Sequence, residues 1–156
     1  MHQITFTLSK DYYSECFEQS IRYANRWRKY ARIAAILFIL LGGFLILNSN
    51  HHNTLAYFLI AIGIYETMSP IIKKPIWVRK HVKSKLFNTA IDVFIDDKGI
   101  ETKGKHSEGQ VSWQGIERFL ETPKGVFIWP QKGVHMYFPK STMNDDILQF
   151  LHEKCA

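Results

Sequence analysis

Glu66 is the residue of this chain whose type and setting say most about chemistry. It lies in Leu55–Ile72, LAYFLIAIGIYETMSPII, an apolar stretch long enough to cross a bilayer. An acid at the centre of a span costs roughly 2.5 kcal/mol or more, so such residues mark ion paths, proton paths or buried pairs. Glu66 precedes Lys73 by seven residues, about 10 Å at 1.5 Å per residue along a helix. That depth matches Arg32 at the start of the preceding apolar stretch. The expectation is an intramembrane pair, Glu66 with Arg32, and the alternative is an ion- or proton-linked role.

The other candidates are weaker. Gly99 to His106, GIETKGKH, has the G-x-x-x-x-G-K spacing of a phosphate loop, but His106 stands where Ser or Thr would hold magnesium. That loop must also join a strand to a helix, whereas these residues read as a strand running into a hairpin turn. His51 and His52 are adjacent in a polar turn with no third ligand nearby, so they read as solvated. Cys16 and Cys155 fall on the side assigned below to the reducing cytoplasm, where thiols stay free. Trp113, Phe127, Trp129 and Tyr137 read as sheet packing. No catalytic, cofactor-binding or metal-ligating set emerges, and the expectation is a protein that is not an enzyme.

The elements that would position Glu66 are two apolar blocks, which the mean hydropathy of -0.14 conceals. Ile33–Leu47 is fifteen residues without a polar side chain. A soluble helix would show a polar face, and this one has none. With its flanks it approaches the ~20 residues that a ~30 Å hydrocarbon core requires. Gly42 and Gly43 fall mid-span, where small residues permit close helix approach. In the second block Pro70, lacking an amide donor, is expected to kink or end the helix. Tyr30, Tyr57 and Trp77 suit the interfacial aromatic belts. The spans are placed at about 31–49 and 55–72, joined by the polar turn Asn48–Thr54.

Charge orients the hairpin. Arg22, Arg26, Arg28, Lys29 and Arg32 precede the first span, and Lys73, Lys74, Arg79, Lys80, Lys83 and Lys85 follow the second, while the turn between has none. This asymmetry puts both termini in the cytoplasm. Residues 1–86 carry twelve Lys/Arg against four Asp/Glu, and residues 87–156 eight against ten, so the net +6 belongs to the membrane flanks. It is no nucleic-acid footprint, which needs a basic face on a folded reader. The six residues from Lys73 to Lys85 could also attract anionic lipid, at about 1 kcal/mol each near the surface.

Outside the spans, Ile4, Phe6 and Leu8 alternate with polar residues as a half-buried strand. Ser9 is a helix N-cap, with Asp11 in the first turn. That helix is expected to run straight into the first span, making residues 1–30 a strand and an amphipathic helix. Residues 73–88 read as a basic stalk continuing the second span. Residues 89–156 alternate as six short strands separated by turns, an antiparallel meander. A final helix follows, capped by Thr142 or Asn144, with Ile147, Leu148 and Leu151 on its core face. Six strands, a seventh from the N-terminus and a C-terminal helix are similar to pleckstrin-homology (PH) folds. The fold class is membrane α+β: a two-helix transmembrane hairpin with a small PH-like antiparallel β domain.

The order of strand, polar helix, two-span hairpin, basic stalk and PH-like end resembles the YcxB-like family of bacterial membrane proteins. The residues carrying the resemblance are Ile4-Thr5-Phe6-Thr7-Leu8-Ser9, the Asp97-Lys98-Gly99-Ile100 turn, Trp113 with Ile116, and Phe138-Pro139-Lys140. It implies a membrane protein with a cytoplasmic C-terminal domain and supplies no catalytic residues. The expected function is a membrane-anchored interaction module at the inner leaflet of the bacterial cytoplasmic membrane. Its partners would be membrane lipid, another protein or a second copy. The alternative is an immunity-type or regulatory protein that acts on a toxin or channel through the hairpin and Glu66. An enzyme or transporter subunit is the third reading.

Overall fold

The structure, a computed structural model, describes residues 2–24, 27–48, 53–105 and 107–155, with the backbone alone at Lys29. The chain divides into two compact units: residues 1–19 with 78–156, and residues 20–77.

The first unit is built of antiparallel strands. One sheet has the order β1 (His2–Thr7), β2 (Ala90–Ile95), β3 (Gly99–Gly104), β4 (Ser107–Ser112). The second has β5 (Arg118–Glu121), β6 (Gly125–Gln131), β7 (Val134–Pro139). The pairing of β1 with β2 sets Ile4 opposite Val93 and Phe6 opposite Ile91. Alternation then sends these side chains to one face, and all four are buried. Val93, Ile95, Ile100, Val126, Ile128 and Leu151 are fully enclosed. Phe6 meets Phe138 edge-on at 6.1 Å, which joins the two sheets in one core.

The β2–β3 turn is made by Asp96, whose Oδ1 accepts from the amides of Lys98 and Gly99. Gly99 has φ +155°, and a Cβ there would be driven into the Val111 carbonyl on β4. The indole N–H of Trp113 donates to the Asp96 carbonyl at 2.9 Å. These contacts account for the Asp-Lys-Gly-Ile turn and the tryptophan that the sequence reading singled out.

Two helices complete the unit. In α1 (Lys10–Gln19) Ser9 caps as expected, its Oγ accepting from the Tyr12 amide at 3.2 Å. In α4 (Asp145–Cys155) Asn144 is the cap, its Oδ1 accepting from the Ile147 amide at 3.0 Å. Phe150 of α4 packs against Trp113 and His2.

The second unit begins with a π turn, Ser20–Ala24, so α1 does not run unbroken into the apolar helix. It then holds α2 (Trp27–Asn48) and most of α3 (Thr54–Val82). Both helices are long and apolar enough to cross a membrane by length and composition. Helix α3 contains Pro70 and Pro75 and continues through both, so Pro70 does not end it. Each proline removes one amide, leaving the carbonyls of Glu66 and Ile71 without their usual partners. The rest of a 29-residue helix carries that loss.

Candidate functional site

The hairpin is assembled around its smallest residues. Gly42 lies against α3 so closely that a Cβ would stand 2.6 Å from Ile60 Cγ1 and 2.7 Å from the Ala56 carbonyl. Gly63 repeats the arrangement against α2, 2.6 Å from Ile39 Cγ1 and 2.7 Å from the Ala35 carbonyl. The motif Ala-x-x-x-Ile-x-x-Gly occurs once in each helix, at Ala35, Ile39 and Gly42 and at Ala56, Ile60 and Gly63. The crossing is therefore pseudo-symmetric about a two-fold axis. Gly43, one position round the helix, faces open space.

This register sets the level of the polar residues. Three residues on from Gly63 is Glu66, and three back from Ala35 is Arg32, so the two share a level as expected. Glu66 is half-buried and Arg32 exposed, and among the described residues no ion pair joins them. The cross-helix polar contact near this level is Arg28 Nη2 donating to Ser69 Oγ at 3.3 Å, with Ser69 buried. Thr67 donates back to the Gly63 carbonyl at 2.8 Å, which satisfies a hydroxyl inside an apolar helix.

The basic residues follow along α3 and the turn after it. Lys73, Arg79, Lys80, Lys83 and Lys85 are exposed and Lys74 is half-buried. Ile76, between the lysines, is 63% exposed. Arg26, the side chain of Lys29, His51, His52 and His106 lie outside the described residues.

The remaining candidates sit in the strand-rich unit. Gly99–Gly104 is a strand paired on both edges, to β2 and β4, so no phosphate loop forms there. Cys16 and Cys155 are free. Burial pushes the Cys16 thiol up to about 12, with the carboxylate of Glu15 adding to it, and burial raises Cys155 as well. Both thiols are held away from the nucleophilic thiolate form. Among the described residues no group of three or more His, Cys, Asp or Glu is placed to hold a metal ion.

Two polar clusters escaped the sequence reading. Tyr12 donates to the Tyr137 carbonyl at 2.8 Å, and the Tyr137 hydroxyl donates to Glu15 Oε1 at 2.6 Å, fastening α1 to β7. Burial, reinforced by that bond to Glu15, pushes the Tyr137 hydroxyl far above the usual phenol range. Glu121 of β5 binds Lys140 through one oxygen and His152 of α4 through the other. These bonds, that from Lys140 first, hold its carboxyl below the usual glutamate range. The partners are 122, 19 and 31 residues apart, so no local pattern announces them.

The aromatic residues of the second sheet pack as expected. Phe127 and Tyr137 are buried with ring centroids 4.7 Å apart. Trp129 is half-buried, and Arg118 stacks over it at 4.6 Å. No curated protein matches the chain. From the end of β2 to the last turn of α4, residues 95–153 match the family described as YcxB-like protein, the family that the sequence resembles.

Proposed function

We propose that the chain is a non-enzymatic, membrane-anchored interaction module. In this reading α2 and α3 cross the bacterial inner membrane as a hairpin, and the strand-rich unit is a PH-like domain held at the cytoplasmic face. The observation that carries it is the pairing of β1 with β2, residue for residue from His2↔Ile95 to Thr7↔Ala90. Strands so paired bracket the whole hairpin, so its two ends return to one body, as an even number of spans requires. Four strands, three strands and a C-terminal helix support the PH-like assignment.

Burial supports the anchor. In the helical unit Ile33, Leu40, Phe44, Leu47, Phe58 and Ile71 are exposed, an arrangement that water penalises at roughly 1.5–3 kcal/mol per large side chain and lipid does not. Lys73, Lys74, Arg79, Lys80, Lys83 and Lys85 then sit where anionic headgroups would meet them. Partners of the module are lipid, another protein or a second copy.

Topology labelling tests this reading. In a chain with Cys16→Ala and Cys155→Ser, single cysteines replace Thr54 and Lys124. An impermeant maleimide added to intact cells is expected to label the Thr54→Cys chain, and the Lys124→Cys chain only after lysis. Labelling of both from one side sinks the hairpin. A photo-crosslinker at Lys124 in native membranes then tests the module itself, which requires a discrete protein or lipid adduct.

A further inference from the structure

Outside the helical unit, Val134 is the one exposed large apolar residue among those described, 46% exposed at the tip of the β6–β7 hairpin. The hairpin turns through Lys132 and Gly133, with Gln131 paired to Val134. Gly133 has φ +89° and nothing within 4 Å of a would-be Cβ, so the turn has open space beside it. Around it stand Trp129, half-buried with the Arg118 guanidinium over its ring, and His135, whose ring lies 6.0 Å from Trp129. No acid occurs between Gly125 and Pro139, and the nearest in the pairing is Glu117, whose amide donates to the Trp129 carbonyl.

An exposed aliphatic tip, an indole at its base and a lysine in the turn form the composition of a protein surface that enters the headgroup region of an anionic bilayer. Trp suits the boundary between headgroups and acyl chains, and Lys suits phosphates. We propose that the β6–β7 hairpin is an interfacial foot, with Val134 entering the bilayer surface and Lys132 meeting anionic headgroups. The proposal rests on the membrane-anchor reading. One valine and one tryptophan would bind a vesicle weakly by themselves. A unit joined to α2 and α3 through both of its chain connections meets the membrane at high effective concentration, so weak contacts suffice.

Nitroxide labels on the full-length chain in vesicles test it. Single cysteines at Val134, at Lys124 and at Phe44 are introduced with Cys16→Ala and Cys155→Ser. Accessibility to oxygen, which partitions into lipid, is compared with accessibility to a water-soluble nickel chelate. In vesicles of phosphatidylcholine with phosphatidylglycerol, the Val134 label is expected to favour oxygen several-fold over the Lys124 label. That preference should fall on adding Lys132→Glu, or in vesicles of phosphatidylcholine alone. A Val134 label as aqueous as Lys124 in both vesicles overturns the foot. One shielded from both reagents whatever the lipid also overturns it, since a protein then covers the tip. The Phe44 label separates the two readings: oxygen-rich, it upholds the anchor whatever Val134 does, and aqueous, it sinks the anchor and the foot together.

Discussion

The two units bury opposite kinds of residue. In the strand-rich unit the enclosed side chains are large and apolar, with Phe127, Ile95, Ile100 and Ile128 at 0% exposure. In the helical unit they are small: Ala56 at 0%, Ala35 and Ser69 at 1%, with Gly42 and Gly63 beside them. The large residues there, Phe44 at 61% and Leu47 at 86%, stand outside. One unit follows the logic of water, which drives apolar area inward. The other has the pattern that the proposed anchor requires of a solvent as apolar as leucine, in which only close backbone approach distinguishes inside from outside. The difference teaches that burial must be read with residue size: the helical unit is packed through its small residues.

The strongest way to break this comparison is to make the same change in both units. Phe127→Ala removes a ring that contacts Tyr137, Trp129 and His135. It is expected to cost about 3–5 kcal/mol in the strand-rich unit. Phe44→Ala removes an exposed ring and should cost under about 0.5 kcal/mol. Urea unfolding of the detergent-solubilised chain, followed by tryptophan fluorescence, measures both. Equal losses would mean that the inverted burial is wrong.

A second comparison lies within the helix pair. Gly42→Val and Gly63→Val place a branched side chain against a facing carbonyl and isoleucine, and should weaken the crossing by about 1–3 kcal/mol. Gly43→Val meets open space and should leave it intact. Nitroxides at the exposed Leu37 and Ile62, read by pulsed EPR in vesicles, should report a longer and broader distance for the first two variants only. A similar disturbance in all three would refute the seam.

These glycines also show where the sequence was legible and where it was not. Strand β2 could be read because Ile91, Val93 and Ile95 alternate, and all three are buried. Ser9 and Asn144 could be read as caps because capping acts over three residues. The level shared by Arg32 and Glu66 followed from a short turn between antiparallel helices. Gly42 and Gly43 are the same residue in the same apolar run, so only the partner helix tells them apart. Pro70 does not end its helix, because a rule for isolated helices ignores how much of a long helix lies on either side. The Glu15–Tyr137 and Glu121–His152 bonds depend on α1 and α4 docking, which no local signal encodes.

The smallest expected effect concerns Glu121, the carboxylate that holds α4 to the second sheet. Its hydrogen bonds with Lys140 and then His152 favour the charged form, so its folded pKa lies below the ordinary glutamate value of 4.5. A lowered folded value means stability that is present above pH 4.5 and lost as pH falls through the folded value. The side chain is 35% exposed, so solvent screening keeps the contribution to about 0.2–1 kcal/mol. Glu121→Gln should therefore be slightly less stable than the parent at pH 7, with the gap narrowing as the pH is taken below 4.5. Phe119, whose ring meets His152 edge-on at 5.0 Å, holds α4 in place in both chains and isolates the charge effect. Thermal unfolding of the two chains across that range checks it: a constant gap would assign the loss to packing, and a gap that closes on acidification assigns it to the carboxylate.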